Sequence, residues 1–137
     1  MKESRYKNLL RHYERATRLQ ECGEYEQSIS YYDKVIEIDS TFYGASLGKA
    51  TALAQIRKFN EALIWIDNAL ESTKQDPFEN QLSLAQKSVI LTKLERFDEA
   101  FSCIRKAMQI NPDNKNVLQT KKFVNREFEK YKFAGSS

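Results

Sequence analysis

A chain of 137 residues with 41% apolar and 30% charged side chains can bury a hydrophobic core and is too apolar for a disordered segment. Four glycines and two prolines are too few for the many tight turns of an all-β fold, so long helices are expected. The net charge of +3 divides into +4 over residues 1–18, +4 over residues 115–132 and −5 over the remainder, a pattern that solvated helix faces explain and that would also steer a charged partner.

In chain order, Met1-Lys2-Glu3-Ser4-Arg5 leads into mixed polar sequence with no apolar stretch of the secretory type. No apolar run approaches the roughly 20 residues that span a bilayer, so no membrane association and a cytoplasmic setting are expected. A first helix is predicted over about 4–22 and a second over about 25–38, the latter from the stripe Tyr25, Ile29, Tyr32, Val35 and Ile36. Helices over about 42–55 and 59–72 follow, with Phe59, Ala62, Leu63, Ile66, Ala69 and Leu70 at spacings of three and four. A longer loop is expected around Gln75-Asp76-Pro77-Phe78, before helices over about 80–93 and 97–110. The sixth helix carries Phe97, Ala100, Phe101, Ile104, Ala107 and Met108 on one side. Asn111-Pro112-Asp113 is a stop and a new start. Val117, Leu118, Val124, Phe128 and Tyr131 mark a seventh helix over about 114–132. Residues 1–133 read as one domain and residues 134–137 as a flexible tail.

Three segments of this helical chain are alike: Gly23-Glu24-Tyr25-Glu26-Gln27-Ser28-Ile29, Arg57-Lys58-Phe59-Asn60-Glu61-Ala62-Leu63 and Glu95-Arg96-Phe97-Asp98-Glu99-Ala100-Phe101. Their small residues are separated by 62 − 28 = 34 and 100 − 62 = 38 positions. The match extends outward through Ala16, Ala50 and Ser88, then Leu19, Leu53 and Leu91, then Tyr32, Ile66 and Ile104. A small residue on one helix facing a large one on the next allows close helix pairing. Short polar links at Cys22-Gly23-Glu24 and Arg57-Lys58 make the paired helices antiparallel neighbours.

The pattern resembles the tetratricopeptide repeat (TPR) family, whose period is 34 residues. Repeats fall at about 9–42, 43–76 and 81–114, and Ala107-Met108-Gln109-Ile110-Asn111-Pro112-Asp113-Asn114 is the best single match. His12, Ser46 and Leu84 stand where the family commonly has Trp, and Arg15, Lys49 and Lys87 where it has Leu. The resemblance implies an all-α fold: a right-handed superhelical solenoid of three antiparallel helix-turn-helix repeats plus a C-terminal capping helix. It also implies an adaptor or scaffold whose concave groove, lined by the first helix of each repeat, holds a peptide or helix of a partner protein.

The expected lining is Leu10, Tyr13, Thr17 and Gln20 in repeat one, and Leu47, Gly48, Thr51 and Ala54 in repeat two. Repeat three contributes Leu82, Ala85, Gln86, Val89 and Thr92, and the seventh helix Asn116, Gln119 and Phe123. This lining is almost uncharged, which suits apolar anchors of a peptide. The competing reading is self-packing: the groove filled by a second copy, making a homo-oligomer, or by the chain's own C-terminal helix. Gly44 and Gly48, one turn apart, each cost roughly 1 kcal/mol in a helix, which close approach of a ligand or a neighbouring helix would justify; tolerance of a weak helix is the alternative. The family's clamp for acidic C-terminal tails of chaperones uses Lys, Asn and Arg. Here its positions hold Tyr13, Thr17, Gly48, Leu82 and Gln86, which argues against such tails as partners.

Nothing in the sequence points to catalysis. His12 has no neighbours at metal-ligand spacing, no phosphate-binding Gly-rich loop occurs, and no nucleophile has a base in a motif context. No cofactor or metal is expected. Cys22 and Cys103 read as packing thiols in a reducing compartment. Nucleic acid is disfavoured as a partner because the aromatics fall mainly at core positions instead of among Lys and Arg.

Overall fold

The computed structural model describes residues 2–135, and seven α-helices account for nearly all of them. They are α1 (Lys2–Glu21), α2 (Tyr25–Ile38), α3 (Tyr43–Gln55), α4 (Phe59–Ser72), α5 (Pro77–Lys93), α6 (Phe97–Ile110) and α7 (Lys115–Gly135). Helices α1 and α2, α3 and α4, and α5 and α6 pack as consecutive hairpins. The chain thus has three two-helix repeats and a capping helix, and no described residue is in a strand.

The chain gathers into two compact units divided between Ser72 and Thr73. The first unit holds the first two hairpins. One buried cluster in it is Leu9, Ala16, Tyr32, Val35 and Ala45, with Leu10, Tyr13, Tyr31 and Phe42 among the residues packed against it. Pairing within α1–α2 is antiparallel: Arg5 donates to Ile38 O at 2.8 Å, and Ser28 Oγ donates to Ala16 O at 2.8 Å. The hydroxyl of Ser28, at the small-residue position of the repeat, therefore ties the two helix backbones together. In α3–α4, Ser46 Oγ donates to Asn68 Oδ1 at 2.7 Å. Lys49 is pinned between Asp33 Oδ1 at 2.5 Å and the face of Trp65 at 4.1 Å.

The second unit is the third hairpin with α7 packed on α5 and α6. Leu91, Ile104, Ala100, Ala107, Val117 and Val124 are buried. Phe97 meets Phe128 and Tyr131 at centroid distances of 5.1 and 5.0 Å, and Phe101 meets Phe128 edge-on at 5.5 Å. Helix α7 runs on to Gly135. Ala134 and Gly135, read from sequence as tail, are helical, and the other two tail residues lie outside those described. The apolar stripe continues through Phe128 and Tyr131, so the helix has a reason to persist past residue 132.

The loop expected around Gln75–Phe78 is corrected too. Asp76 caps α5, its Oδ1 accepting from Glu79 N at 3.3 Å, and Pro77 is the first helical residue, the arrangement that Asp-Pro-x-Glu favours. Helix α5 has 17 residues against 13 in α3. The four residues that lengthen the repeat spacing thus become one extra helical turn rather than a longer link.

Each first helix ends the same way. Gly23, Arg57 and Glu95 occupy equivalent positions and all have positive φ, at 82°, 65° and 59°. In each, the following amide reaches back to the helix: Glu24 N to Leu19 O at 2.8 Å, Lys58 N to Leu53 O at 2.9 Å and Arg96 N to Leu91 O at 2.9 Å. This is the left-handed C-terminal cap that glycine adopts without steric penalty. Two repeats place a side chain there, at a cost of about 1–2 kcal/mol. Glu95→Gly is therefore expected to stabilise the chain by up to about 1 kcal/mol, after the larger unfolded-state entropy of glycine is subtracted. A higher urea midpoint at unchanged slope is the check.

Candidate functional site

In the first unit the first-helix residues α1 and α3 meet, and the predicted lining separates into two kinds. Gln20, Gly48 and Thr51 form a hydrogen-bonded chain with Tyr32. The Tyr32 hydroxyl donates to Gln20 Oε1 at 2.5 Å. Gln20 Nε2 donates to Thr51 Oγ1 at 2.8 Å and to Gly48 O at 3.4 Å. Thr51 Oγ1 donates to Gly48 O at 2.9 Å. These polar groups are spent on one another. Tyr32 is 1% exposed, and a Cβ on Gly48 would lie 2.6 Å from its Cε1 and Oη. Of the reasons for a glycine here, the structure shows a neighbouring helix: the Tyr32 ring of α2 occupies the space.

Leu10 and Tyr13 pack against the buried cluster. Tyr13 lies edge-on to Phe42 at 5.0 Å, and a Cβ on Gly44 would sit 2.8 Å from its hydroxyl. Both glycines of α3 thus make room for tyrosines of the same unit. Thr17 Oγ1 donates within its own helix to Glu14 O at 2.9 Å. Leu47 and Ala54 are half-buried.

Burial pushes the Tyr32 hydroxyl up to about 12, with the nearby Tyr13 acting in the same direction. An acid whose folded pKa lies above its unfolded value holds its proton longer in the native state. The unfolded chain therefore ionises first, near pH 10, and the native state loses relative stability as pH rises from there through about 12. Urea midpoints are expected to fall over that window. Tyr32→Phe, measured against its own neutral-pH value, is expected to weaken the fall.

The second unit presents α5 and α7 side by side. Ala85 and Thr92, read as lining, are each 4% exposed, and Thr92 Oγ1 is committed to Ser88 O at 2.8 Å. Gln86 and Val89 are half-buried, and Leu82 is 39% exposed. Leu82 and Ala85 help line a pocket of about 130 Å³ with Phe78, Glu79, Asn114, Asn116 and Val117. Phe123 is half-buried, with the Lys93 ammonium 5.4 Å and the Arg126 guanidinium 6.0 Å from its ring centre. Asn116 and Gln119 face solvent.

Two features escape sequence reasoning. Gln81 is 1% exposed and bridges three elements. Its Nε2 donates to Ala107 O at 2.8 Å and Asn111 O at 2.9 Å, and its Oε1 accepts from Asn114 Nδ2 at 2.9 Å. Asn114 in turn caps α7, accepting from Asn116 N at 2.9 Å and Val117 N at 3.3 Å. A glutamine in an otherwise apolar register is the only hint of this in the sequence. The pairing of Lys93 and Arg126 about Phe123 is likewise visible only once α5 and α7 are adjacent. Among the described residues no cluster of His, Cys, Asp or Glu could hold a metal ion, and no helix is long and apolar enough to cross a membrane. Cys103 is buried, as expected of a packing residue, whereas Cys22 is exposed.

A family model described as the Psidin N-terminal TPR repeats region matches residues 18–124. Comparison with curated protein sequences finds no match. Among solved structures, the chain is similar to the second TPR domain of human RPAP3 in complex with the HSP70 peptide SGPTIEEVD. The identity is 19%, covering 88% of this chain and 98% of that one at a TM-score of 0.79. It is also similar to the first TPR of Spaghetti (RPAP3) bound to the HSP90 peptide SRMEEVD, at 15% identity over 90% and 94% of the two chains, TM-score 0.78. The Arabidopsis OM64 TPR domain matches at 16% identity over 89% and 98%, TM-score 0.78. At these identities the likeness is one of fold.

Proposed function

The chain belongs to the family of Psidin N-terminal TPR repeat regions, and from that premise we propose that it is a non-catalytic adaptor holding a peptide or helix of a partner protein on the first-helix faces of its hairpins. TPR domains are a fold that generally mediates protein–protein contacts, and two of the similar structures hold peptides of partner proteins. Both of those peptides end in the acidic sequence EEVD. In this chain the clamp positions Tyr13, Thr17, Gly48, Leu82 and Gln86 offer no cation to a terminal carboxylate, so a different peptide chemistry is expected.

The observation that carries this reading is apolar exposure on first helices. Leu82 is 39% exposed beside a pocket, and Leu47 and Val89 are half-buried. Tyr13, by contrast, belongs to the core and is a poor probe of binding. Random dodecapeptides displayed on phage and selected against the full chain are expected to yield specific binders. Leu47→Glu for binders seated on the first unit, or Leu82→Glu for those seated on the second, should weaken them roughly tenfold or more, about 1.4 kcal/mol or above, at an unchanged melting temperature. Failure to enrich any peptide would reject the adaptor reading. A dimer in sedimentation that Leu82→Glu dissolves would replace the partner by a second copy.

A further inference from the structure

Within the second unit the surface shared by α5 and α7 has two chemically distinct ends. At the start of both helices lies the apolar pocket of about 130 Å³ with Phe78, 70% exposed, and Leu82 on its wall. Glu79 also lines it, which disfavours a second carboxylate there. Farther along, Lys93 and Arg126 both lie over Phe123, at 5.4 and 6.0 Å. Neither cation is paired with a carboxylate among the described residues, whereas Lys130 and Lys132 on the same helix take Glu127 at 3.5 Å and Glu129 at 3.1 Å. The Phe123 ring holds two side chains close together whose like charges repel; Glu95 and Glu127 line the same hollow as Lys93, but Glu127 is taken by Lys130, so both cations remain open to an added anion.

We propose that this surface takes an extended acidic peptide, with an apolar side chain in the pocket beside Phe78 and Leu82 and an aspartate or glutamate at Lys93 and Arg126. This rests on the adaptor reading and names the chemistry of the partner. Leu82 and Lys93 are eleven residues apart on one helix, a rise of about 16 Å, which about five residues of extended peptide span. The required ligand is therefore an apolar anchor and an acidic residue about five positions apart. Charge complementarity selects an anion for one end, and the apolar pocket distinguishes a peptide from a bare polyanion. The carboxylate of the ligand need not be a chain terminus, because two side-chain cations rather than a terminal clamp receive it.

The test uses the full chain and the displayed random dodecapeptides. Enriched sequences are expected to share an apolar residue with an acidic one four to six positions away, and their binding is expected to weaken with salt. Lys93 and Arg126 are solvent-facing, so Lys93→Glu/Arg126→Glu should fold normally by circular dichroism while losing affinity about tenfold or more. The doubly reversed variant should then prefer the same peptides with Lys in place of the acid. Phe78→Ser should weaken binding without altering its salt dependence. Enriched peptides with no acidic preference, or binding indifferent to the charge reversal, overturn the proposal. So does a labelled oligothymidylate that binds at Lys93 and Arg126 where the peptides do not. Peptides lost only on Leu47→Glu would sink this inference and leave the adaptor reading standing, and no enrichment at all would sink both.

Discussion

Gly48→Ala is expected to destabilise the chain by about 1–2 kcal/mol, opposite in sign to what helix propensity alone dictates. Alanine is the better helix former by about 1 kcal/mol, and Gly48 lies in the middle of α3. Its added Cβ would sit 2.6 Å from Cε1 and Oη of Tyr32. That ring is 1% exposed, packed against Tyr13 at 6.1 Å and tethered through its hydroxyl to Gln20. Relief requires moving a packed aromatic or separating α2 from α3, and overpacking of this kind costs about 1–3 kcal/mol. The steric cost should win. In a Tyr32→Leu background the obstacle is gone, and Gly48→Ala should then raise stability, so the coupling in the double-mutant cycle is large and reverses the sign. Urea denaturation of the four chains measures it. A Gly48→Ala protein as stable as the parent would show that the ring has room to yield.

Gln81→Ala is expected to cost about 2–4 kcal/mol. The side chain is buried and joins the start of α5 to the end of α6 and the cap of α7. Removing it leaves Asn114 Nδ2 without Oε1 and weakens the satisfaction of two carbonyl groups, each buried unpaired group costing about 1–3 kcal/mol. The Ala107 carbonyl keeps a long bond from Asn111 N, at 3.3 Å, which holds the total below three full penalties. Gln81→Glu should be worse than Gln81→Ala, because it places an acceptor-only carboxylate against carbonyls that need a donor. Amide exchange in the first turn of α7 should quicken before that of α5. Uniform exchange across the unit would mean that Gln81 does not hold the capping helix specifically.

Much of the fold is legible in residue spacing. The stripe Phe59, Ala62, Ile66 and Ala69 is buried or half-buried as a helix of period 3.6 demands, and its repetition in α2 and α6 gives three equivalent second helices. The first helices are harder to place in detail. In α5 the Asp-Pro start is present in the sequence, yet beside Gln75 it reads equally as loop, because a capped helix start and a turn use the same residue types.

The candidate site is less legible because lining and core are neighbours on the same helices. Leu10 is one residue past Leu9, while Tyr13 falls between Leu9 and Ala16 on the buried stripe of α1, and what they meet is set by Phe42 and Tyr32 from other segments. Ala85 and Thr92 stand at lining positions of the repeat, but they are small enough to be covered by what surrounds them.

The order, type and pairing of the helices were thus determined by the sequence itself, since short links and a 3.6-residue apolar period leave antiparallel hairpins as the way to bury those stripes. Only the tertiary structure decided that Gly48 makes room for Tyr32, that Gln81 is a buried bridge, and that Lys93 and Arg126 share one ring. Each of these depends on side chains meeting across distances of up to 33 positions in the chain, as Gln81 and Asn114 do, and helical periodicity carries no information about such meetings. It specifies which way a residue faces, while what it faces is set by how neighbouring helices fit together.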